Sequence, residues 1–420
     1  MSDFTDLLRR QVADDVRRLG PALLAAREGG RGGRRAGRRG TIGELRGAAR
    51  RALPRVVFDY LEGGAGDEVT LARNMEVFAA LELLPRTLVD VADVELRTTL
   101  AGSASALPVV AAPMGALGLV HADGELALAR AARAAGAVSA VSCMSSYALE
   151  EIAAAGRGGP LWFQTYMWRD RGLLDELVRR ADAAGYAALV VTVDVPRGAN
   201  RDRDRRNRFG VPPRATARSL LDGLRHPRWS AAFAARGRLR FGNFTGERLG
   251  VDDGPAALAS FLTSQFDPSA SWDDLERLRE RWDKPLIVKG VLDPADAARC
   301  ALLGADAIVV SNHGGRQLDH APSGIGALPA VVDAVDGRAE VYVDGGVRRG
   351  GDVAKALALG AKGCMAGRAL GYGLGVAGQA GAERALAILA DELRLTLMLA
   401  GCPSVHDLGP AWVRRPVAVA

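Results

Sequence analysis

The sequence predicts a (β/α)8 TIM barrel with a helical N-terminal extension and one long insertion after the fourth strand. Three observations predict it. Eight short apolar runs rich in β-formers succeed one another between Pro108 and Ala366. Helical segments alternate with them, among them GELALARAARAAG, SWDDLERLRERW and PADAARCALLG. No GxGxxG opens a helix after the first run, which weighs against an open dinucleotide-binding sheet.

The eight runs are residues 108–112, 137–142, 161–166, 188–192, 286–289, 307–311, 340–344 and 363–366. Ahead of them, residues 1–26 read as a charged amphipathic helix without the apolar core of a signal peptide. Residues 27–39 carry six Arg and one Glu among glycines. Such a stretch cannot bury enough apolar surface to offset its ordering entropy, so 27–40 reads as a linker. Helical character resumes near Ile42 and runs through LRGAARRALPRVVFDYLEGG. The division expected is an extension over 1–40, a barrel unit over 41–412 and a tail over 413–420. One excursion, 195–284, breaks the rhythm after the fourth run and mixes Trp229, Phe233, Phe241 and Phe244 with several Arg. So long a connection is usually functional, here either an active-site lid or a surface that docks on a membrane.

Composition narrows the function classes. At 420 residues, 48% hydrophobic and 25% charged, the chain has ordinary globular make-up. The net charge of +6 sits almost wholly in the Arg/Gly stretch, which has no aromatic residue to stack on bases, so nucleic-acid binding is not expected. Four widely spaced cysteines without a CxxC argue against structural zinc and a disulfide framework, and for a reducing cytoplasm. No run of about 18 apolar residues suggests a membrane span.

In such barrels the chemistry lies where strands end. The ends here are unusually polar: Pro113 and Met114, Ser142, Gln164 and Tyr166, Thr192 and Asp194, Lys289, Ser311 and His313, Asp344, then Gly367 and Arg368. The sharpest signal is Ser311-Asn312-His313-Gly314-Gly315-Arg316. A His beside an Arg has its cation disfavoured, which suits a general base; the alternative is a turn with a surface His. Asp344-Gly345-Gly346-Val347-Arg348 and Gly367-Arg368 follow the seventh and eighth runs, the usual place for a phosphate cradle. Ordinary turn glycines with surface Arg would look the same. Lys289 points into an apolar barrel mouth and needs a partner, either an electron-rich ring or a neighbouring carboxylate.

With FDYLEGGAGDE, LWFQTY, TVDVPRGANRDRDRRNRF, LIVKG, SNHGGRQLD, DGGVRRG and GR in this order, the chain resembles the FMN-dependent L-2-hydroxy-acid oxidase and dehydrogenase family from about residue 42 to 412. That family includes glycolate oxidase, quinone-linked L-lactate dehydrogenase and (S)-mandelate dehydrogenase. LRHPRWS and DPSASWDDLERLR point towards the last two. The resemblance implies FMN as cofactor and oxidation of a lactate- or mandelate-like acid to the 2-keto acid. It implies His313 as base with Asp194 behind it, Arg201 and Arg316 on the substrate carboxylate, and hydroxyls from Tyr60 and Tyr166. It implies Lys289 beside the flavin N1/O2 edge. Pro113, Met114, Gly115, Ser142, Gln164, Thr192 and Ser311 would line the ring. Asp344, Gly345, Gly346, Arg348, Gly367 and Arg368 would hold the ribityl phosphate. Electrons would leave to quinone or oxygen, and the protein would be a homo-oligomer, a tetramer, in the cytoplasm or on the inner face of the membrane. Two alternatives stand beside this: another FMN barrel oxidoreductase or isomerase, and a flavin-binding protein without turnover. The chain departs from the family pattern at Met114, where Thr is usual, at residues 143–147, and in its N-terminal extension.

Overall fold

Eight parallel strands close on themselves in the computed structural model, which describes residues 37, 39–209, 217–236, 240–244, 246–249, 252 and 255–414. The helix expected over 1–26, most of the linker and the last six residues lie outside the described residues. The barrel strands are β1 (Val109–Ala111), β2 (Val138–Ser142), β3 (Leu161–Tyr166), β4 (Ala188–Thr192), β5 (Leu286–Val291), β6 (Ala307–Val310), β7 (Glu340–Asp344) and β8 (Gly363–Ala366). Each pairs with the next, and β8 returns to β1.

Both faces of these strands are buried, which is why they read as continuous apolar runs. One set of side chains fills the barrel: Val110, Val138, Trp162, Val190, Ile287 and Val309 with Tyr342 and Met365. The other set, such as Val109, Leu189, Val191 and Val310, packs under the surrounding helices. A hairpin, Thr98–Leu100 with Ser103–Ser105, closes the N-terminal end by placing Leu100 in the interior cluster. Trp162 donates from Nε1 to Ser103 Oγ at 3.1 Å, which satisfies the indole inside the barrel.

The fifth strand is longer than expected. It continues to Val291 through an irregularity at Gly290, whose φ is +104°. A Cβ there would lie 2.6 Å from the Asp194 carboxyl carbon, so the bulge makes room for that side chain. The helical stretch from Ile42 is two helices, Ile42–Ala52 and Arg55–Glu62, because Pro54 cannot donate in a helix interior. The second presents Val57, Phe58 and Leu61 to the core and lies over the C-terminal mouth of the barrel.

The excursion holds helices Asp202–Arg206, Ala217–Arg225, Pro227–Arg236, Gly246–Leu249, Pro255–Ser264 and Trp272–Arg281. The last is the helix that any β4-to-β5 crossover requires, so the inserted part is shorter than 195–284. Helix Ala217–Arg225 docks through Asp222, which accepts from Arg55 N at 2.5 Å. That leaves Leu220, Leu221 and Leu224 at 58, 60 and 72% exposure.

Candidate active site at the barrel mouth

His313 stands in the turn after β6 with φ +59°, a left-handed conformation uncommon for a side-chain-bearing residue. Ser311 Oγ accepts its backbone N–H at 3.0 Å and holds the turn. The His313 Nδ1 lies 3.0 Å from Asp194 Oδ1. With Asp194 anionic, Nδ1 carries the proton and Nε2 keeps its lone pair. Burial lowers the imidazole's affinity for a second proton, Lys289 and Arg201 push the same way, and Asp194 opposes them. The neutral form expected from sequence is favoured, but the main cause is burial rather than Arg316. Burial would raise the Asp194 carboxyl, yet His313 and Lys289 outweigh it and hold it below its usual range.

Three guanidiniums gather beside this pair. Arg316 donates from Nη1 to Tyr60 O at 2.8 Å and Gly63 O at 2.9 Å. Arg201 Nε reaches Arg316 O at 3.4 Å. Burial, then repulsion from Arg201 and Arg368, pulls Arg316 down to about 9. Asp204 faces Arg316 and Arg201, and its buried Oδ1 has no hydrogen-bond partner. Cations this crowded and partly withdrawn from water favour an anion between them.

Tyr60 donates its hydroxyl to Gly115 O at 3.1 Å. Tyr166 packs edge-on against Trp168 and Phe266, with ring centroids 5.7 and 5.2 Å away. Burial pushes its phenol above the usual range, Asp194 adds to this, and Arg201 opposes it, so the ring shares their field.

Lys289 Nζ donates to Ser311 Oγ at 2.9 Å and pairs with Asp344 Oδ2 at 2.9 Å. Its partner is thus a carboxylate, the alternative that the sequence left open. Burial alone would lower Lys289, but Asp344 and Asp194 raise it. Gln164 donates to Thr192 Oγ1 at 3.0 Å, and Ser142 Oγ accepts from Met144 N at 3.1 Å. Pro113 and Met114 are half-buried at the end of β1.

Two expectations change in their physical reason. Gly346 (φ +96°) would place a Cβ 2.2 Å from Asn74 O, so glycine there first lets helix Val69–Ala80 pack against the loop. The Arg368 side chain is engaged by backbone carbonyls. Its Nε, Nη1 and Nη2 donate to Leu61 O, Gly314 O and Gly63 O at 3.1, 2.8 and 2.8 Å. What 368 retains for an anion is its backbone N–H, in the first turn of helix Arg368–Ala400, whose N-cap Gly367 supplies no side-chain cap. Sequence reading also passed over Asn74 and Asn312. Asn312 Nδ2 donates to Asn74 Oδ1 at 2.7 Å, Asn74 Nδ2 to Asn312 Oδ1 at 3.0 Å, and Gly315 N to Asn312 Oδ1 at 3.0 Å. The place of Asn312 inside the His motif was the available signal.

Glu125 was missed as well, having no motif around it. Its Oε1 accepts from Leu117 N at 2.8 Å and Ser146 N at 3.0 Å, tying the loops after β1 and β2, while buried Oε2 is unpartnered. Burial raises its carboxyl from 4.5 to about 7. A carboxyl raised on folding favours the folded state below its unfolded pKa and loses that contribution as pH rises through the folded value. Thermal stability is therefore expected to fall between about pH 5 and about pH 8, by up to roughly 3 kcal/mol from this group. Glu125→Gln should flatten that slope in melting curves.

Uncapped amides at 367–369, the half-buried Arg348 and the β7 loop form a cationic, donor-rich corner. Asp344 Oδ1 is buried without a partner and offers an acceptor to a hydroxyl-bearing chain. The family model for FMN-dependent dehydrogenases matches residues 49–415. The chain belongs to that family. FMN is accordingly its cofactor, and Ser142, Gln164, Thr192 and Lys289 are buried polar residues in the C-terminal parts of β2, β3, β4 and β5. The L-lactate dehydrogenase of Caulobacter vibrioides is 45% identical over 366 residues, covering 87% of this chain and 95% of that one. The L-lactate oxidase of a Nostoc strain is 42% identical over 370 residues, with 87 and 95% covered. Among solved structures, the monotopic membrane protein (S)-mandelate dehydrogenase superposes with TM-score 0.85 at 38% identity, covering 90% of this chain and all of that one. A mandelate oxidase superposes with TM-score 0.78 at 40% identity, covering 91% of this chain and all of its own.

Proposed function

We propose that the protein oxidises a small L-2-hydroxy acid, lactate- or mandelate-like, to the 2-keto acid. The observation that carries this reading is the half-buried cluster of Arg201 and Arg316 beside the His313–Asp194 pair, a carboxylate receptor next to a base. The two guanidiniums hold the substrate carboxylate and so orient C2 and its hydroxyl. Tyr60 and Tyr166 supply hydroxyls to the substrate oxygens. His313 Nε2 takes one proton, from the hydroxyl or from C2, and Asp194 stabilises the imidazolium that forms. FMN, when bound, would supply the two-electron acceptor chemistry and take up the other hydrogen, with quinone or oxygen as the final electron acceptor. Lys289 contributes a fixed positive charge at the floor of the site. Gly345, Gly346, Arg348 and the backbone of Gly367 and Arg368 hold the phosphate end of the cofactor.

Anaerobic addition of L-lactate or L-mandelate to the purified holoprotein is expected to bleach the visible flavin band. An unchanged spectrum with a panel of L-2-hydroxy acids would remove the reading. Arg316→Met should raise the half-saturating substrate concentration by roughly a hundredfold, since a buried charged contact is lost, while FMN stays bound.

We place the protein at a membrane surface through helix Ala217–Arg225. Three outward leucines are followed by the exposed cations Arg225 and Arg228, an arrangement suited to the boundary of an anionic bilayer. No described helix is long and apolar enough to cross a membrane. The protein should sediment with phosphatidylglycerol vesicles. Changing Leu220, Leu221 and Leu224 together to Ser should cut that partitioning by more than roughly tenfold and leave reduction of a water-soluble dye intact. Equal partitioning of the two proteins would rule this surface out.

A further inference from the structure

The excursion does more than cover the barrel. It sends one segment, residues 241–244, into the wall formed by the loop after β2. Asn243 is buried there, with each polar atom of its side chain bonded to that wall. Its Nδ2 donates to Cys143 O at 2.8 Å and to Ser145 Oγ at 3.1 Å. Its Oδ1 accepts from Leu149 N at 2.8 Å, and its carbonyl accepts from Arg180 Nη1 at 3.0 Å. Beside it, Gly242 N donates to Ser145 O at 2.9 Å. A Cβ on Gly242 would lie 2.0 Å from the Tyr147 carbonyl carbon, so backbone lies against backbone. Phe241 and Phe244 are buried on either side.

The gripped loop leads straight to the mouth. Met144 N donates to Ser142 Oγ at 3.1 Å, and Ala116 N donates to Met144 O at 2.9 Å. Gly115, next in line, accepts the Tyr60 hydroxyl. A second attachment runs in parallel: Trp229, on helix Pro227–Arg236, donates from Nε1 to Leu119 O at 2.7 Å. The excursion is thereby fastened to both loops that flank Ser142 and Gly115.

We propose that Asn243 is a positioning residue for the flavin pocket, holding residues 143–145 so that Ser142 and the Gly115 loop keep their places; this rests on the reading that FMN sits at the barrel mouth. The chemistry explains the residue type. The wall offers two acceptors, Cys143 O and Ser145 Oγ, and one donor, Leu149 N, to a single short side chain. A carboxamide matches that pattern, whereas a carboxylate would set an oxygen against the Cys143 carbonyl. The segment comes from the same excursion that carries the outward leucines, so the wall of the pocket is built partly from the surface-facing part of the chain.

The test compares wild type with Asn243→Ala and the near-isosteric Asn243→Asp. FMN affinity is measured by quenching of free FMN fluorescence on titration with apoprotein. Amide hydrogen exchange of residues 143–147 in the apoprotein and the shape of the visible flavin band are recorded beside it. Both variants are expected to bind FMN roughly tenfold more weakly, the scale of one lost buried hydrogen bond. Exchange should rise within 143–147, and the band shape should change. If melting temperature falls in both variants while FMN affinity, band shape and local exchange match wild type, Asn243 only stabilises the fold and the proposal is overturned. Should Asn243→Ala not fold, Asn243→Asp and Trp229→Phe decide by the same readouts. Failure of wild type itself to bind FMN would strike the cofactor site and not this residue.

Discussion

His313→Gln is expected to retain bound FMN and to slow its reduction by substrate roughly 10²- to 10⁴-fold, the range that a positioned base contributes. Gln fills most of the imidazole's volume and can still bond Asp194, so the pocket should keep its shape. What disappears is a neutral nitrogen able to take a proton. Anaerobic stopped-flow measurement of flavin bleaching isolates this step from reoxidation. In the wild type the acid limb of the rate should lie below about pH 6.5, because burial, Lys289 and Arg201 together disfavour the imidazolium. Asp194→Asn removes the one group that favours the cation, so the limb should move to still lower pH while the maximum rate drops. Wild-type reduction rates in His313→Gln would take the base role away from this residue.

The second large effect belongs to Lys289. Lys289→Met leaves the Asp344 carboxylate buried without its ion-pair partner, which costs about 3–5 kcal/mol when half of such a pair is removed. The melting temperature should fall steeply and the purified protein should lose its yellow colour. Lys289→Met with Asp344→Asn separates the two consequences. The double change leaves no lone charge, so stability should recover substantially, while the flavin remains weakly held or poorly reduced. Full recovery of both would reduce Lys289 to a structural cation.

The strands were legible because both of their faces are buried, so no alternation hides them and polar residues stand out at their ends. The same contrast marks Ser142, Gln164, Thr192, Lys289 and Asp344, which are buried polar residues at or near the strand ends. The fifth strand's end was misjudged because the bulge at Gly290 answers to Asp194, almost a hundred residues earlier. The same limit hid the carbonyl-binding role of the Arg368 side chain, whose partners lie near residues 61–63 and 314. It hid Asn243 too, since an Asn in an irregular segment has no periodicity, and its acceptors sit about a hundred residues away. Local pattern reveals what a residue's neighbours in sequence demand. It does not reveal which distant backbone will need a donor.

The hold of Arg316 and Arg368 on the turn after helix Arg55–Glu62 sets an order of events at the ribosome. The turn is translated early, yet its partners follow 253 and 307 residues later along the chain. At roughly 5–20 residues per second, that delay is on the order of tens of seconds. Through that interval Val57, Phe58 and Leu61 await the surface that will receive them, an invitation to chaperones. The turn at residues 61–63 gains these contacts only when a much later part of the chain closes over it, so nascent chains halted before β8 lack the donors that hold it.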